Sequence, residues 1–232
     1  MDSTKLGKFK IVYPNKREYH SLKREIWNQD IYYFETNKDT PFIIDIGAHI
    51  GISVLYFKAL FPNSKILAFE PNPLSFGILE ENIQSNGLKD ITLINKAIHS
   101  QECISPFYID NSNEEWNSNS SLLERSWSGR ENTKAIEVSC TRLDPYLVDI
   151  KEIDLLKIDT EGTELEILNS HKNILEIVNN ISVEYHPTKG KKTEKILTIL
   201  QPYFKLEIYS EGKLLQKPLD GKLLTIQGKK RV

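Results

Sequence analysis

The 232-residue chain is poor in cysteine, has no excess of either charge and contains no long apolar run. Cys103 and Cys140 are too few for a disulfide framework and lack metal-ligand spacing, which suits a reducing compartment. Lysine and arginine number 30 against 32 aspartates and glutamates, a formal charge of −2, so there is no global basic field to gather nucleic acid. The basic clusters, Lys229, Lys230 and Arg231 with Lys189, Lys191 and Lys192 upstream, read as solvated faces. No apolar stretch approaches the roughly 20 residues of a membrane span, and the polar start Met-Asp-Ser-Thr-Lys lacks a signal-peptide core. The expectation is a cytoplasmic protein whose partner is neither nucleic acid nor membrane. Internal repeats and interdomain linkers are missing too, and 39% hydrophobic with 27% charged residues describes an ordinary globular fold.

What is present begins in earnest at Pro41. Residues 1–40 are mixed and charged, with only weak helical character over 17–28, and are expected to form an extension packed on a domain spanning 41–232. From there short apolar runs alternate with segments of helical period. Strands are predicted at 42–46, 65–69, 91–95, 155–158 and 181–185, and helices at 52–61, 74–85 and 163–178. Such alternation implies an α/β fold, a doubly wound and mostly parallel sheet whose ligand sits beyond the carboxyl ends of the strands. Residues 110–133, with Trp116 and Trp127, lack any period and read as a long loop of the kind that often carries function. Runs at 203–210 and 222–227 read as a C-terminal antiparallel hairpin at the sheet edge.

The sharpest local signal is Ile43-Ile44-Asp45-Ile46-Gly47-Ala48-His49-Ile50-Gly51, where the first strand of this alternation turns into a helix. Glycines there are expected to let the backbone pass close to a ligand, where a Cβ would collide. A dinucleotide fingerprint would place glycine where His49 stands, so the turn suits a ligand without phosphates. S-adenosylmethionine (SAM) is such a ligand. Glu70, at the tip of the second strand in Phe69-Glu70-Pro71-Asn72, can accept from both ribose hydroxyls, and Asn95-Lys96-Ala97 follows the third strand where an adenine would lie. The richest polar cluster is Lys157-Ile158-Asp159-Thr160-Glu161-Gly162-Thr163-Glu164, answered on the next strand by Glu184-Tyr185-His186. Adjacent parallel strands would bring Asp159, Glu161, Glu184 and His186 to one rim, with Glu164 capping the next helix.

Taken in order, these segments resemble the FkbM-type methyltransferases, whose pattern includes I-D-x-G-A-x-x-G, F-E-P, N-x-A, T-x-L-D, K-I-D-x-E-G-x-E and E-x-H. They stand here at 45–51, 69–71, 95–97, 141–144, 157–164 and 184–186, with Thr163 where the family often has alanine. The resemblance implies a Rossmann-like class I methyltransferase with a seven-stranded sheet, SAM as cofactor, and O-methylation of a hydroxyl on a sugar, glycan or small natural product. Asp45, Gly47, Ala48, Gly51, Glu70, Pro71, Asn95, Ala97, Asp159 and Glu161 are then the expected cofactor contacts. His186, whose ordinary pKa lies near neutrality, is the expected general base, oriented by Asp159 or Glu184. In a second version Asp159, Glu161 and Glu184 hold Mg²⁺ instead. The rival classes are a nicotinamide-dependent oxidoreductase, disfavoured by His49, and a SAM-binding module without catalysis.

Overall fold

A strand covered on both faces has no polar side to show, and Ile153–Ile158 is buried at every position. The structure, a computed structural model, describes residues 1–110, 120–124, 133–188 and 192–231. The chain opens with a hairpin, β1 (Asp2–Leu6) and β2 (Phe9–Tyr13), then α1 (Lys16–Leu22) and a π-helical stretch, Lys23–Asn28. The alternation follows as β3 (Phe42–Ile46), α2 (Ile52–Leu60), β4 (Lys65–Phe69), α3 (Pro73–Ser85) and β5 (Ile91–Ile94). A separate sheet interrupts it, built from β6 (Ala97–Ile98), β7 (Cys103–Asp110) and β8 (Thr133–Thr141) in the order β6-β8-β7. The chain then resumes with β9 (Ile153–Ile158), α4 (Glu164–Ser170), β10 (Val178–Tyr185), α5 (Thr193–Leu200), β11 (Phe204–Ser210), β12 (Lys213–Leu214) and β13 (Leu224–Lys230).

The main sheet has the order β12-β11-β13-β10-β9-β3-β4-β5. From β10 to β5 all neighbours are parallel, whereas β13 runs antiparallel to both β10 and β11. The expected seven strands are therefore corrected to eight in a mixed sheet, the extra one being the two-residue β12 paired with β11. Successive residues of each inner strand enter opposite cores: Ile44 and Leu156 join one apolar cluster, and Ile43 and Leu155 the other. That alternation is the pleat of a doubly covered sheet.

Two sequence expectations need correction. The helix expected over 163–178 ends at Ser170, because His171 leaves helical geometry and its backbone N–H and Nδ1 both contact the Ile167 carbonyl. The Nε2 of His171 accepts from the Leu143 amide at 3.2 Å, and the chain continues as 3₁₀ turns over Lys172–Ile177 into a strand that starts earlier than expected. The loop expected at 110–133 is flanked by the β7–β8 pair, which sequence reading missed, and Ser121 bridges to Tyr108. Trp116, Trp127, Lys189 and Lys191 lie outside the described residues.

Residues 1–40 hold more order than their composition suggests. The buried Asn82 of α3 accepts from the Val12 amide at 2.7 Å and donates to the carbonyls of Val12 at 3.0 Å and Ile50 at 2.8 Å. One amide side chain thus joins the N-terminal hairpin, α3 and the glycine turn. Asn82→Ala would leave these buried backbone groups without partners, and we expect it to lower unfolding free energy by at least about 2 kcal/mol in urea titrations. A loss below about 0.5 kcal/mol would show that the hairpin is held by apolar packing alone.

Candidate active site

Register decides which residues meet. Ile46 pairs with both Phe69 and Ile158, and Ile158 pairs with Val183, so the next residues, Gly47, Glu70, Asp159 and Glu184, emerge side by side. Strand order reverses between β3 and β9, the switch point at which open α/β sheets bind ligands. A cleft of about 430 Å³ opens there. Of the expected contacts, Gly47, Ala48, Glu70, Pro71, Ala97, Asp159 and Glu161 line it, as do Glu184 and His186. Asp45, Gly51 and Asn95 do not line it.

Each of those three works from behind the wall. Asp45 is buried, 3.0 Å from the Lys157 ammonium, and its Oδ2 accepts from the Ser53 hydroxyl at 2.5 Å. Asn95 donates to the carbonyls of Glu70 at 2.8 Å and Pro71 at 3.1 Å, so its amide braces the strand end. A Cβ on Gly51 would stand 2.6 Å from Leu79 Cδ1. Gly47 is more severe: at φ +84° its Cβ would stand 1.8 Å from the Asp159 carbonyl oxygen. The glycines therefore permit close contact between β-strand tips and helix within the protein itself.

Glu70 is buried, yet it has donors. Its carboxylate accepts from the amides of His49 and Asn72, each at 2.8 Å. Burial pushes its pKa up to about 7 against the opposing effect of these two amides. His49 is folded inward at φ +50°, with its ring 3.7 Å from Glu18. Burial lowers its pKa, so it is neutral at pH 7 and that approach is not an ion pair.

The far end of the cleft is ionic. Glu164 is fully buried and accepts from the amides of Gly162 at 2.8 Å and Thr160 at 3.2 Å, and from His186 Nδ1 at 3.0 Å. His186 Nε2 lies 3.5 Å from Glu161. Burial lowers the His186 pKa, but Glu161 and Glu164 outweigh it and hold the ring well above its ordinary value, as an imidazolium. A histidine that holds its proton this firmly is a weaker general base near neutrality than its ordinary pKa implies. Glu184 is the better match: burial, then the neighbouring Asp159, raises it to about 8.

Donor atoms of Asp159, Glu184 and His186 lie within 4.8 Å of one another, a different set from the expected Asp159, Glu161 and Glu184. Glu161 turns to His186 instead. The residue that sequence reading missed is Tyr32, whose hydroxyl lies 3.1 Å from Asp159 Oδ2 and 3.1 Å from Glu184 Oε2. No local pattern around Tyr32 marks it, since its meaning depends on partners more than a hundred positions away.

Comparison with known proteins follows the same segments. The Methyltransferase FkbM domain matches residues 45–207. Methyltransferase sdnD of Sordaria araneosa is 30% identical over 206 residues, covering 76% of this chain and 78% of that protein. The 2-O-methyltransferase NoeI of Sinorhizobium fredii is 27% identical over 184 residues, covering 73% and 74%. Among solved structures, methyltransferase FkbM from Methylobacillus flagellatus KT is similar at a TM-score of 0.57 and 16% identity, over 84% of this chain and 45% of that one. The chain thus spans under half of that protein, with which it shares the α/β fold.

Two outcomes follow from this geometry. Gly47→Ala should destabilise the protein by about 2 kcal/mol or more in urea without any ligand, since both the positive φ and the Asp159 carbonyl oppose a side chain. Wild-type stability with weakened ligand binding would return Gly47 to a ligand-clearing role. The second concerns pH. Glu70 binds its proton more tightly in the folded protein, near pH 7 against an ordinary 4.5, so its stabilisation is complete below about pH 4.5 and lost as pH rises through about 7. His186, also raised, works in the same direction through its own higher range. Melting temperature should therefore fall between about pH 5 and pH 8, and Glu70→Gln should flatten the lower part of that fall. An unchanged slope in Glu70→Gln would mean that Glu70 titrates normally.

Proposed function

The chain belongs to the FkbM methyltransferase domain family, and on that premise we propose that it transfers a methyl group from SAM to a hydroxyl of a sugar, glycan or small natural product. The observation that carries the reading is the register-built rim that sets Glu70 at one end of a single cleft and Asp159 with Glu184 at the other. The cleft suits SAM in size, within the roughly 300–1,000 Å³ of small-molecule sites. Glu70 suits a ribose because each oxygen that accepts one amide retains a second acceptor site for a hydroxyl. Ala97, Ile98 and Phe107 supply an apolar wall for an adenine, and the carboxylate-rich far end suits a positively charged sulfonium. SAM supplies an electrophilic methyl and a neutral thioether leaving group.

The protein's part is alignment and proton removal. An alcohol attacks poorly while it keeps its proton, and a base with pKa near working pH helps by about 10² to 10⁴-fold. Glu184 fits that description, raised to about 8 and lining the cleft. His186, held between Glu161 and Glu164, orients the loop that carries Asp159 and balances its charge. The donor set fits Mg²⁺ poorly, because that ion asks for near-octahedral oxygen ligands while Asp159 and Glu184 share a tyrosine hydroxyl and His186 is engaged at Glu164. The choice of oxygen as acceptor draws on the relative named a 2-O-methyltransferase.

Methyl-labelled SAM incubated with glycans and small hydroxylated metabolites should give a labelled product that survives exhaustive chelation. Glu184→Gln should then lower kcat at least about tenfold while affinity for the uncharged S-adenosylhomocysteine by calorimetry stays within about threefold, because a base acts in the transition state. Binding of NAD or NADP in place of SAM would move the protein to an oxidoreductase. Binding of SAM without turnover on any acceptor would leave a binding module.

A further inference from the structure

The family match begins at Asp45, yet the wall of the cleft does not. Leu22, Glu25, Ile26, Ile31 and Tyr32 of the N-terminal segment line it. Tyr32 is 1% exposed, its ring 5.3 Å from the Lys157 ammonium and packed against Phe57, and its hydroxyl is equidistant from the Asp159 and Glu184 carboxylates. A phenol carries one proton, so this hydroxyl donates to one carboxyl and accepts from the other, and Glu184, raised to about 8 by burial and by Asp159, is the one that keeps a proton to give; the chain of two hydrogen bonds lets both side chains keep one orientation.

The backbone that carries Tyr32 is itself pinned. The Ile31 carbonyl accepts from Gln227 Nε2 at 2.7 Å and from the Ser182 hydroxyl at 3.4 Å, which ties the segment to β13 and β10. Further along, Lys38 reaches Glu152 at 2.7 Å and Asp154 at 3.0 Å beside the start of β9. A tyrosine merely filling space would not need its hydroxyl aimed at both rim carboxylates from a strap anchored to three strands.

We propose that Tyr32 is a positioning residue of the methyl-transfer site, holding the Asp159 and Glu184 carboxylates toward the transferred group, so that the N-terminal segment is an integral part of the active site. The inference rests on the methyl-transfer reading above. Its test uses two probes that need no acceptor: S-adenosylhomocysteine, which lacks the methyl, and sinefungin, which carries an amine in the methyl's place. Carboxylates aimed at that position favour the amine.

In the full chain, calorimetry should find sinefungin preferred over S-adenosylhomocysteine, and Tyr32→Phe should cut that preference about tenfold, the scale of a lost charged hydrogen-bond geometry, while S-adenosylhomocysteine affinity moves less than about twofold. Tyr33→Phe, at an exposed neighbouring tyrosine outside the cleft, should change neither. Equal weakening of both probes by Tyr32→Phe, an unchanged ratio, or a variant that no longer folds would each assign Tyr32 to packing and overturn the proposal. Wild-type protein that binds both probes equally overturns it as well, leaving the cofactor reading intact. Wild-type protein that binds neither defeats the cofactor reading and this inference together.

Discussion

A lysine ammonium inside a sheet core is tolerated only with partners, and Lys157 is the one on which this structure turns. Its Nζ lies 3.0 Å from Asp45, 2.6 Å from the Gly47 carbonyl and 3.6 Å from Asp159. Burial alone would lower its pKa, but Asp45 and then Asp159 hold it above the ordinary lysine value. Asp45 and Lys157 are register partners on adjacent parallel strands, and Asp159 is two residues further along the same face. The ion pair is therefore a consequence of pairing β3 with β9 in one register only. A slip by one residue would turn the ammonium and its carboxylate to opposite sides of the sheet.

This constraint explains what surrounds it. Because the Gly47 carbonyl must reach Lys157 while its α-carbon passes the Asp159 carbonyl, the turn has no room for a side chain at residue 47. The same turn presents the His49 amide to Glu70, so the tip of β4 is fixed relative to β3 by a hydrogen bond as well as by the ladder. Charge placed under the cleft floor thus sets the position of groups that line it.

Much of this was legible in the sequence because the parallel strands are covered on both faces and read as apolar runs. The polar residues that interrupt them, Asp45 and Lys157, were visible as motif members, but their pairing was not. It requires knowing which strands are neighbours, and strand order lies in crossovers rather than in any local pattern. The same holds for Tyr32, and for the small β6–β8–β7 sheet, whose two longer strands mix buried and exposed positions without a clean apolar run. The surroundings of His186 were illegible for another reason: a residue's ordinary pKa says nothing about the two buried glutamates that the fold brings to it. Motif spacing named the residues of the cleft, while the contacts among them come from the fold.

The tip of β10 shows how far the parts of this site are spread along the chain. On one side β10 runs parallel to β9, which supplies Lys157 and Asp159, and on the other it pairs antiparallel with β13 through Glu184–Thr225 and Tyr185–Leu224. The strap near Ile31 then crosses to Ser182 of β10 and Gln227 of β13, so residues from the beginning, middle and end of the sequence fix Glu184 together. Contacts of such long sequence separation cost chain entropy before they return any stability. A carboxylate raised to about 8 in a cleft needs that rigidity, because a side chain free to swing into water would recover an ordinary pKa. The chemistry assigned to the rim and the long-range ties that hold it are thus two sides of one requirement.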